Sequence, residues 1–402
     1  MAIVGYPGRV TSYDLAVGVK ISMDEAIFMI SPIDSPFLNG IGTDGRQLLS
    51  SSSVDQTSWK WMDEQLLLPR ANISAGNSAT GTSLTTFTVT AADSYKFQVG
   101  DLLTTLDRSH AATGTVLLCS DVNNTTGVLT VGEWVNHAGQ LATAHGANAD
   151  TVICVGSALI EGSDAGPARS ADRTIRSGNT QIFGPTKVDM TRTEQQISRY
   201  GVSDEFAKQL YGRTVENVLM REQAYLYGQP RDDTSTKRRS SGSLDSFITT
   251  NVDSTSTSLT LASLETLMQT TYNIGGVPDV VMANPTSLAT LNAISDTSRV
   301  RTVIDGPRRG RVPVTSVFHE FGETQIVRNR WIDKGDAFVI VKDNVQRRVI
   351  QPLIVEALAK TGDSDSVHIV CEEGLQVKAE QFMAKYTTLT DYTGAGAGYG
   401  SV

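Results

Sequence analysis

Ser203–Pro230 reads SDEFAKQLYGRTVENVLMREQAYLYGQP. The pattern predicts one long helix over 203–227, in a chain that otherwise reads mainly as strand and turn. Ser203 stands where an N-cap is expected, and Asp204 and Glu205 fall in the first turn, where the helix dipole favours acids. Gly228 and Pro230 stop the run. About 25 residues at 1.5 Å each span roughly 38 Å. The apolar stripe is thin: Phe206, Leu210, Val218 and Tyr225, with Val215 and Leu219 beside it. Asp204 and Lys208 sit at pairing distance along one face, worth ~0.3–0.5 kcal/mol. So long a helix with so little to bury poses the question of what its other faces meet.

Downstream lies a Ser/Thr/Asp-rich connection, then a unit of mixed type. LASLETLMQTTYNI (Leu261–Ile274) reads as a helix, PDVVMAN (Pro278–Asn284) as a short buried strand and PTSLATLNAIS as a second helix with Pro285 in its first turn. Strands follow in VPVTSVFHEF, GETQIVRN, DAFVIVKD and RRVIQPLIVEALAK, and SVHIVCEEGLQVKAEQFMAKYTTL closes the chain as a strand pair. Upstream, Thr191 and Glu194 have capping-box spacing ahead of a short helix. TSWKWMDEQLLLP (Thr57–Pro69) reads as strand. Between Ser83 and Val155 the chain is rich in Thr, Val and Gly. Its period-two alternation argues for short antiparallel strands, with DVNNTTG as a hairpin connection. Residues 1–54 read as an arm, with one short helix near Met23–Ile30 that Pro32 ends.

At 402 residues the chain is long enough for two or three packed units. Charged residues are 19% and the net charge is −9, which argues against wrapping nucleic acid by bulk charge. Three cysteines, Cys119, Cys154 and Cys371, without a CxxC, argue against a disulfide framework and fit a reducing compartment. Neither a signal peptide nor an apolar run long enough to cross a membrane is expected from the pattern.

The candidate chemistry is thin. His110, Cys119, His137, His145 and Cys154 share one region but lack ligand-pair spacing. Cys371 and His368 lie three apart on a strand, which points them to opposite faces. The pairs Glu372–Glu373 and Asp232–Asp233 read as solvated turn carboxylates rather than a tuned acid/base couple. GPRRGRVP (Gly306–Pro313) lacks the spacing of a phosphate loop. The basic clusters Lys237–Arg239, Arg308–Arg311 and Arg347–Arg348 have no interleaved aromatics, so ion pairing with acidic surface is the preferred reading over phosphate contact. No catalytic, cofactor-binding or metal residue is expected.

EGSDAG (Glu161–Gly166), NTQIFG (Asn179–Gly184), RYGVSDEFAKQ (Arg199–Gln209) and VENVLMREQAYLYG (Val215–Gly228) come in that order. NRWIDKGDAFVI (Asn329–Ile340) and LAKTGDSDSVHIVCEEGLQVK (Leu358–Lys378) follow. This succession resembles the major capsid (head) proteins of tailed double-stranded DNA bacteriophages, which have the α+β Johnson fold. The resemblance implies an N-terminal arm at 1–54 and an extended loop at 55–82 and 156–186, with a β-rich domain at 83–155 inserted in it. It implies a peripheral domain at 187–261 and 345–392 carrying the spine helix 203–227, an axial domain at 262–344 and a flexible tail at 393–402. It further implies a virion shell of hexamers and pentamers, icosahedral or prolate, built in the host bacterial cytoplasm around packaged double-stranded DNA that is not read by sequence. Implied partners are other copies of the chain, a separate scaffolding protein, a portal and a decoration protein, with no membrane, cofactor or enzymatic role. Rival readings are an encapsulin-like compartment shell, a tail or decoration component, and a β-rich hydrolase. The inserted domain favours a viral shell, and the long helix followed by an α/β unit speaks against a tail component. In such a shell some of Arg213, Glu216, Arg221 and Glu222 are expected to face neighbouring subunits or the lumen.

Overall fold

The computed structural model describes residues 33–40, 48–65, 69–75, 86–106, 116–133, 151–158, 161–162, 172–198, 202, 204–289, 291, 300–301, 316–360 and 362–390. The expected helix near Met23–Ile30, the Arg308–Arg311 cluster and the tail lie outside them, as do His110, His137 and His145. The chain divides into two compact units, Met1–Trp61 with Arg176–Val402, and Met62–Ile175.

Among the described residues the first unit holds two larger sheets, the two-stranded hairpin Arg231–Asp233 with Arg238–Ser240, and the long helix. One sheet has four strands in the order Ser50–Ser53, Val345–Ala357, Ser364–Val377 and Gln181–Thr191. Its two long central strands form an antiparallel hairpin, and Ser50–Ser53 adds to it in parallel, Ser50 opposite Gln346. The other sheet has seven strands, with Ala337–Ile340, Val280–Ala283 and Gly322–Arg328 at its centre. Val280–Ala283 is buried throughout, as an apolar run between two neighbours requires. Leu261–Ile274 packs Leu264, Leu267 and Met268 into the core beneath it. Thr260 and Ser263 form its capping box, and Gly275, at φ +108°, supplies the left-handed residue that ends it.

The long helix spans Glu205–Tyr227. Its cap is Asp204 rather than Ser203: the Asp204 carboxylate accepts from the Ala207 N–H at 3.0 Å. That use of the carboxylate stabilises the terminus by ~1 kcal/mol, more than the exposed pair with Lys208 would. Gly228 ends the helix with extended backbone, not a left-handed turn. A Cβ there would stand 2.5 Å from the Ala224 carbonyl and 2.9 Å from that of Ser241, so close approach, not dihedral freedom, demands glycine.

The core of this unit reaches into the N-terminal segment. Phe37, Leu38, Leu48, Leu49 and Trp61 are buried with Tyr225, Leu226, Phe247, Phe338 and Leu375. Each such side chain contributes about 1.5–3 kcal/mol of gross burial.

The second unit contains a closed, all-antiparallel barrel of six strands: Arg70–Ala75, Thr86–Val89, Val128–Glu133, Leu117–Asn123, Asp101–Leu106 and Thr151–Ser157, in that circular order. Alternation decides its inside: Phe87, Val89, Leu103, Leu117, Cys119, Leu129, Val131 and Val152 fill it. The DVNNTTG connection is the hairpin between two of these strands. Asn123 Oδ1 accepts from the N–H groups of Thr125 and Thr126. Gly127 takes φ +74° where a Cβ would lie 2.2 Å from the Val89 carbonyl.

Candidate functional site

The long helix is two different helices end to end. No side chain between Glu205 and Glu216 is buried, whereas Asn217, Arg221, Glu222, Tyr225 and Leu226 are. Positions 217, 221 and 225 stack at four-residue spacing on one face, as do 222 and 226. Of the expected stripe, Tyr225 is buried and Val218 packs on the core, while Phe206 and Leu210 stay partly exposed.

The buried half is built around charge. Arg221 Nη1 donates to Glu373 Oε1 at 2.9 Å, and Arg347 Nε approaches Glu373 Oε2 at 3.5 Å. Glu373 is buried with both oxygens facing cations, the arrangement that compensates desolvation. One residue earlier on the same strand the side chain points the other way. There Glu372 Oε1 accepts from Arg239 Nη2 at 2.9 Å and from Thr180 Oγ1 at 2.7 Å. Tyr225, packed edge-on against Phe183, has its hydroxyl pushed well up by burial and by the Glu373 charge. Burial also raises the Cys371 thiol to about 11, so it remains a thiol, donating to Asn217 Oδ1 at 3.6 Å.

Glu222 holds the arm. The residues Pro36–Asn39 form a single helical turn whose N–H groups aim at the carboxylate. Oε1 accepts from the Phe37 N–H at 2.9 Å and from Asn329 Nδ2 at 2.6 Å, and Oε2 accepts from the Leu38 N–H at 2.7 Å. Burial pushes the Glu222 carboxyl above its usual range against the pull of these three donors. Nearby, Trp331 Nε1 donates to the Asp34 carbonyl at 2.7 Å and Arg330 pairs with the Asp34 carboxylate at 2.9 Å. A third buried carboxylate of this unit, Glu380, accepts from Arg176 Nη2 at 2.8 Å, from Thr250 Oγ1 at 2.6 Å and from the N–H groups of Thr249 and Thr250.

These facts correct several expectations. Glu372 and Glu373 are strand residues locked in ion pairs, not solvated turn residues. Arg221 and Glu222 are buried within the subunit, while Arg213 and Glu216 stay exposed and pair with each other at 2.7 Å. Ion pairing is the use of Arg239 and Arg347, and Arg348 bonds Gln376 and Ser52. Asp233 ends the strand Arg231–Asp233, half-buried, its carboxyl held down at about 2 by hydrogen bonds from Ser235 and Thr236. Cys119 is buried in the barrel. Among the described residues no group of three or more His, Cys, Asp or Glu could hold a metal ion, and no helix is long and apolar enough to cross a membrane. An open groove of about 580 Å³ lies at the start of the long helix, lined by Met190, Glu194, Ile197, Phe206 and Asp365 among others. No sequence signal marked Glu380, Asn217 or Asn329: each is a lone polar residue whose partner lies far along the chain.

The arrangement is a lock, with its carboxylates already engaged. It fixes arm, helix and hairpin and leaves the first half of the helix only partly covered. A family model described as SU10 major capsid protein matches residues 8–390. No curated protein matches the chain. Among solved structures, a chain from Microbacterium phage Oxtober96 is similar at 10% identity, covering 95% of this chain and 100% of that one, with a TM-score of 0.50. The capsid of Myoviridae phage XM1 is similar at 10% identity, 95% and 99% coverage and a TM-score of 0.46. The SrpI encapsulin complex of Synechococcus elongatus is similar at 12% identity over 56% of this chain and 79% of that one, with a TM-score of 0.40.

Proposed function

Because this chain belongs to the SU10 major capsid protein family, we propose a specific division of labour for its parts in building a phage head. It is a structural protein of the virion, a shell subunit with the fold of tailed-phage capsids. The finer reading is ours. Subunits associate as hexamers and pentamers, through contacts that are individually weak and collectively strong. The segment 1–54 serves as the arm, 55–82 and 156–186 as an extended loop across a neighbour, and 83–155 as a domain inserted in that loop, to which the flanks of the loop add the barrel strand Arg70–Ala75 and the end of Thr151–Ser157. Peripheral (187–261, 345–392) and axial (262–344) domains supply the body. A separate scaffolding protein and a portal act in assembly, a decoration protein binds afterwards, and DNA is held inside without sequence-specific contact. The net charge of −9 suits a container that must not grip its polyanionic cargo. No catalysis is assigned.

The observation that carries this reading is the family match along almost the whole chain. The first half of the long helix, where no residue is fully buried, supports it, since what the subunit leaves exposed there is available to an assembly. Light scattering and negative-stain microscopy of the purified protein test it. Shells or capsomers are expected. A stable monomer at high concentration, with scaffold supplied, would overturn the assembly reading.

A further inference from the structure

The basic cluster Lys237–Arg239 divides into two uses. Arg239, near the base of the hairpin Arg231–Asp233 with Arg238–Ser240, is bound to Glu372. Lys237 and Arg238 are exposed, and neither side chain has a partner among the described residues. On the other strand Arg231, its side chain 79% exposed, reaches the Asp233 carboxylate only at 3.9 Å. Elsewhere in the first unit Arg176, Arg192, Arg213, Arg221, Arg330 and Arg347 are all committed to carboxylates of the same chain. Uncommitted cations are thus gathered on one short hairpin.

Register sorts its charges. Arg231 pairs with Ser240, Asp232 with Arg239 and Asp233 with Arg238. Side chains alternate, so Asp232 shares the face of Arg239, while Arg231 and Arg238 share the opposite face. These two arginines are diagonal neighbours, about 7–8 Å apart at their roots. Asp233 lies on their face, but its Oδ1 is turned to the loop, where it accepts from the Ser235 N–H and hydroxyl and from the Thr236 N–H. It offsets one cation of the three. Lys237 closes the loop in left-handed backbone, at φ +55°. Glycine suits that backbone, and a strained residue kept there with its side chain unused inside the subunit points outward for its use. The hairpin is firmly mounted: the Ser240 hydroxyl donates to the Gln229 carbonyl at 2.6 Å, and Arg239 Nη2 donates to Glu372 Oε1 at 2.9 Å.

We propose that this hairpin is a phosphate contact, with Arg231, Lys237 and Arg238 meeting the backbone of duplex DNA inside the shell. This rests on the reading of the chain as a shell subunit around DNA and deepens it. Guanidinium groups grip phosphate oxygens as forks, and a lysine adds a point charge. The composition of the hairpin decides the partner. A protein partner is held chiefly by buried aromatic or apolar anchors, and RDDTSTKRRS (Arg231–Ser240) contains none. A polyanion is held by charge alone. Phosphate contacts of this kind position DNA without reading its sequence. Three per subunit make a weak grip, in keeping with a net charge of −9.

Fluorescence anisotropy of full-length, unassembled subunits with a short labelled duplex, across a range of salt, tests it. Binding at low salt is expected to weaken with a log–log slope of roughly −2.7, the value for three phosphates. An R231S/K237S/R238S variant, melting as the wild type does, should bind about tenfold or more weakly at low salt and lose most of that slope. Should the triple variant not fold, K237G carries the test: it should melt no lower than the wild type, because glycine suits the backbone, yet lose about one unit of slope. Unchanged affinity and slope in these variants overturn the proposal. So does a wild type that binds no duplex at low salt, or one that prefers one of two unrelated duplex sequences. Unchanged duplex binding joined to less stable shells would set the hairpin against acidic surface of a neighbouring copy, and also overturns it. Whether shells form at all is read separately by light scattering, so failure of the assembly reading is a distinct result.

Discussion

At Glu373 two guanidinium groups converge on one carboxylate that water does not reach. Breaking such a set costs more than its net worth, because the survivors are left charged and dry. Glu373→Ala is expected to destabilise the first unit by about 3–5 kcal/mol in denaturant unfolding of free subunits. Arg221→Met with Glu373→Leu together should cost clearly less than the sum of the single changes. Additive losses would show that the residues do not act as a set. Its neighbour Gly374 is constrained differently: a Cβ would meet the Trp59 ring at 2.6 Å and the Asn179 carbonyl at 2.4 Å. None of this was legible beforehand. Arg221 and Glu373 are 152 residues apart, and a paired buried charge looks in sequence like a solvated one. Local signals fared better, because their partners are close in sequence: the hairpin turn at Asn123–Gly127 and the cap at Thr191, whose side chain accepts from the Glu194 N–H, both follow from side chains two or three residues from the backbone groups they satisfy.

The helix Glu205–Tyr227 was legible as an element from its caps and composition, but its burial was not. Apolar periodicity points to Phe206 and Leu210 as readily as to Tyr225. The packing instead begins at Asn217, because there the helix meets the strand Gln181–Thr191 and the arm, and polar residues make the contact. The arm depends on that half. Its apolar side chains are matched to the core, yet the amides of Phe37 and Leu38 have their acceptor in Glu222 alone of the side chains that reach them. Glu222→Ala strands those donors, at about 1–3 kcal/mol each if they stay buried. The arm should therefore loosen first. Limited proteolysis is expected to cut the variant faster between residues 33 and 54 while the rest of the first unit resists. An unchanged cleavage pattern would show that apolar packing holds the arm without the carboxylate.

At the scale of the whole molecule, the cores formed by the described residues are separate. The cluster that fills the barrel contains only residues between Ala71 and Cys154, and neither of the other two clusters draws a residue from that span. Cooperativity follows shared burial, so the barrel and the first unit should unfold independently. Replacing residues 70–157 by a short Gly/Ser link is expected to leave the first unit's far-ultraviolet spectrum and melting transition in place. Loss of that transition would show that the barrel is integral to the larger unit. Sequence alternation made the barrel strands visible one by one. Their circular order was not visible, because pairing Val128–Glu133 with Thr86–Val89 is a non-local choice made by closure.

The grip of Glu222 on the arm also orders events in time. Phe37 leaves the ribosome 185 residues before the carboxylate that receives its amide. At bacterial rates of roughly 5–20 residues per second, the arm waits on the order of 10–40 s for its anchor, and longer for Asn329. The arm is thus made well before the group that secures it. During translation the nascent arm therefore stays unfastened until the helix that carries Glu222 has been made, ahead of the hairpin Val345–Ala357 and Ser364–Val377.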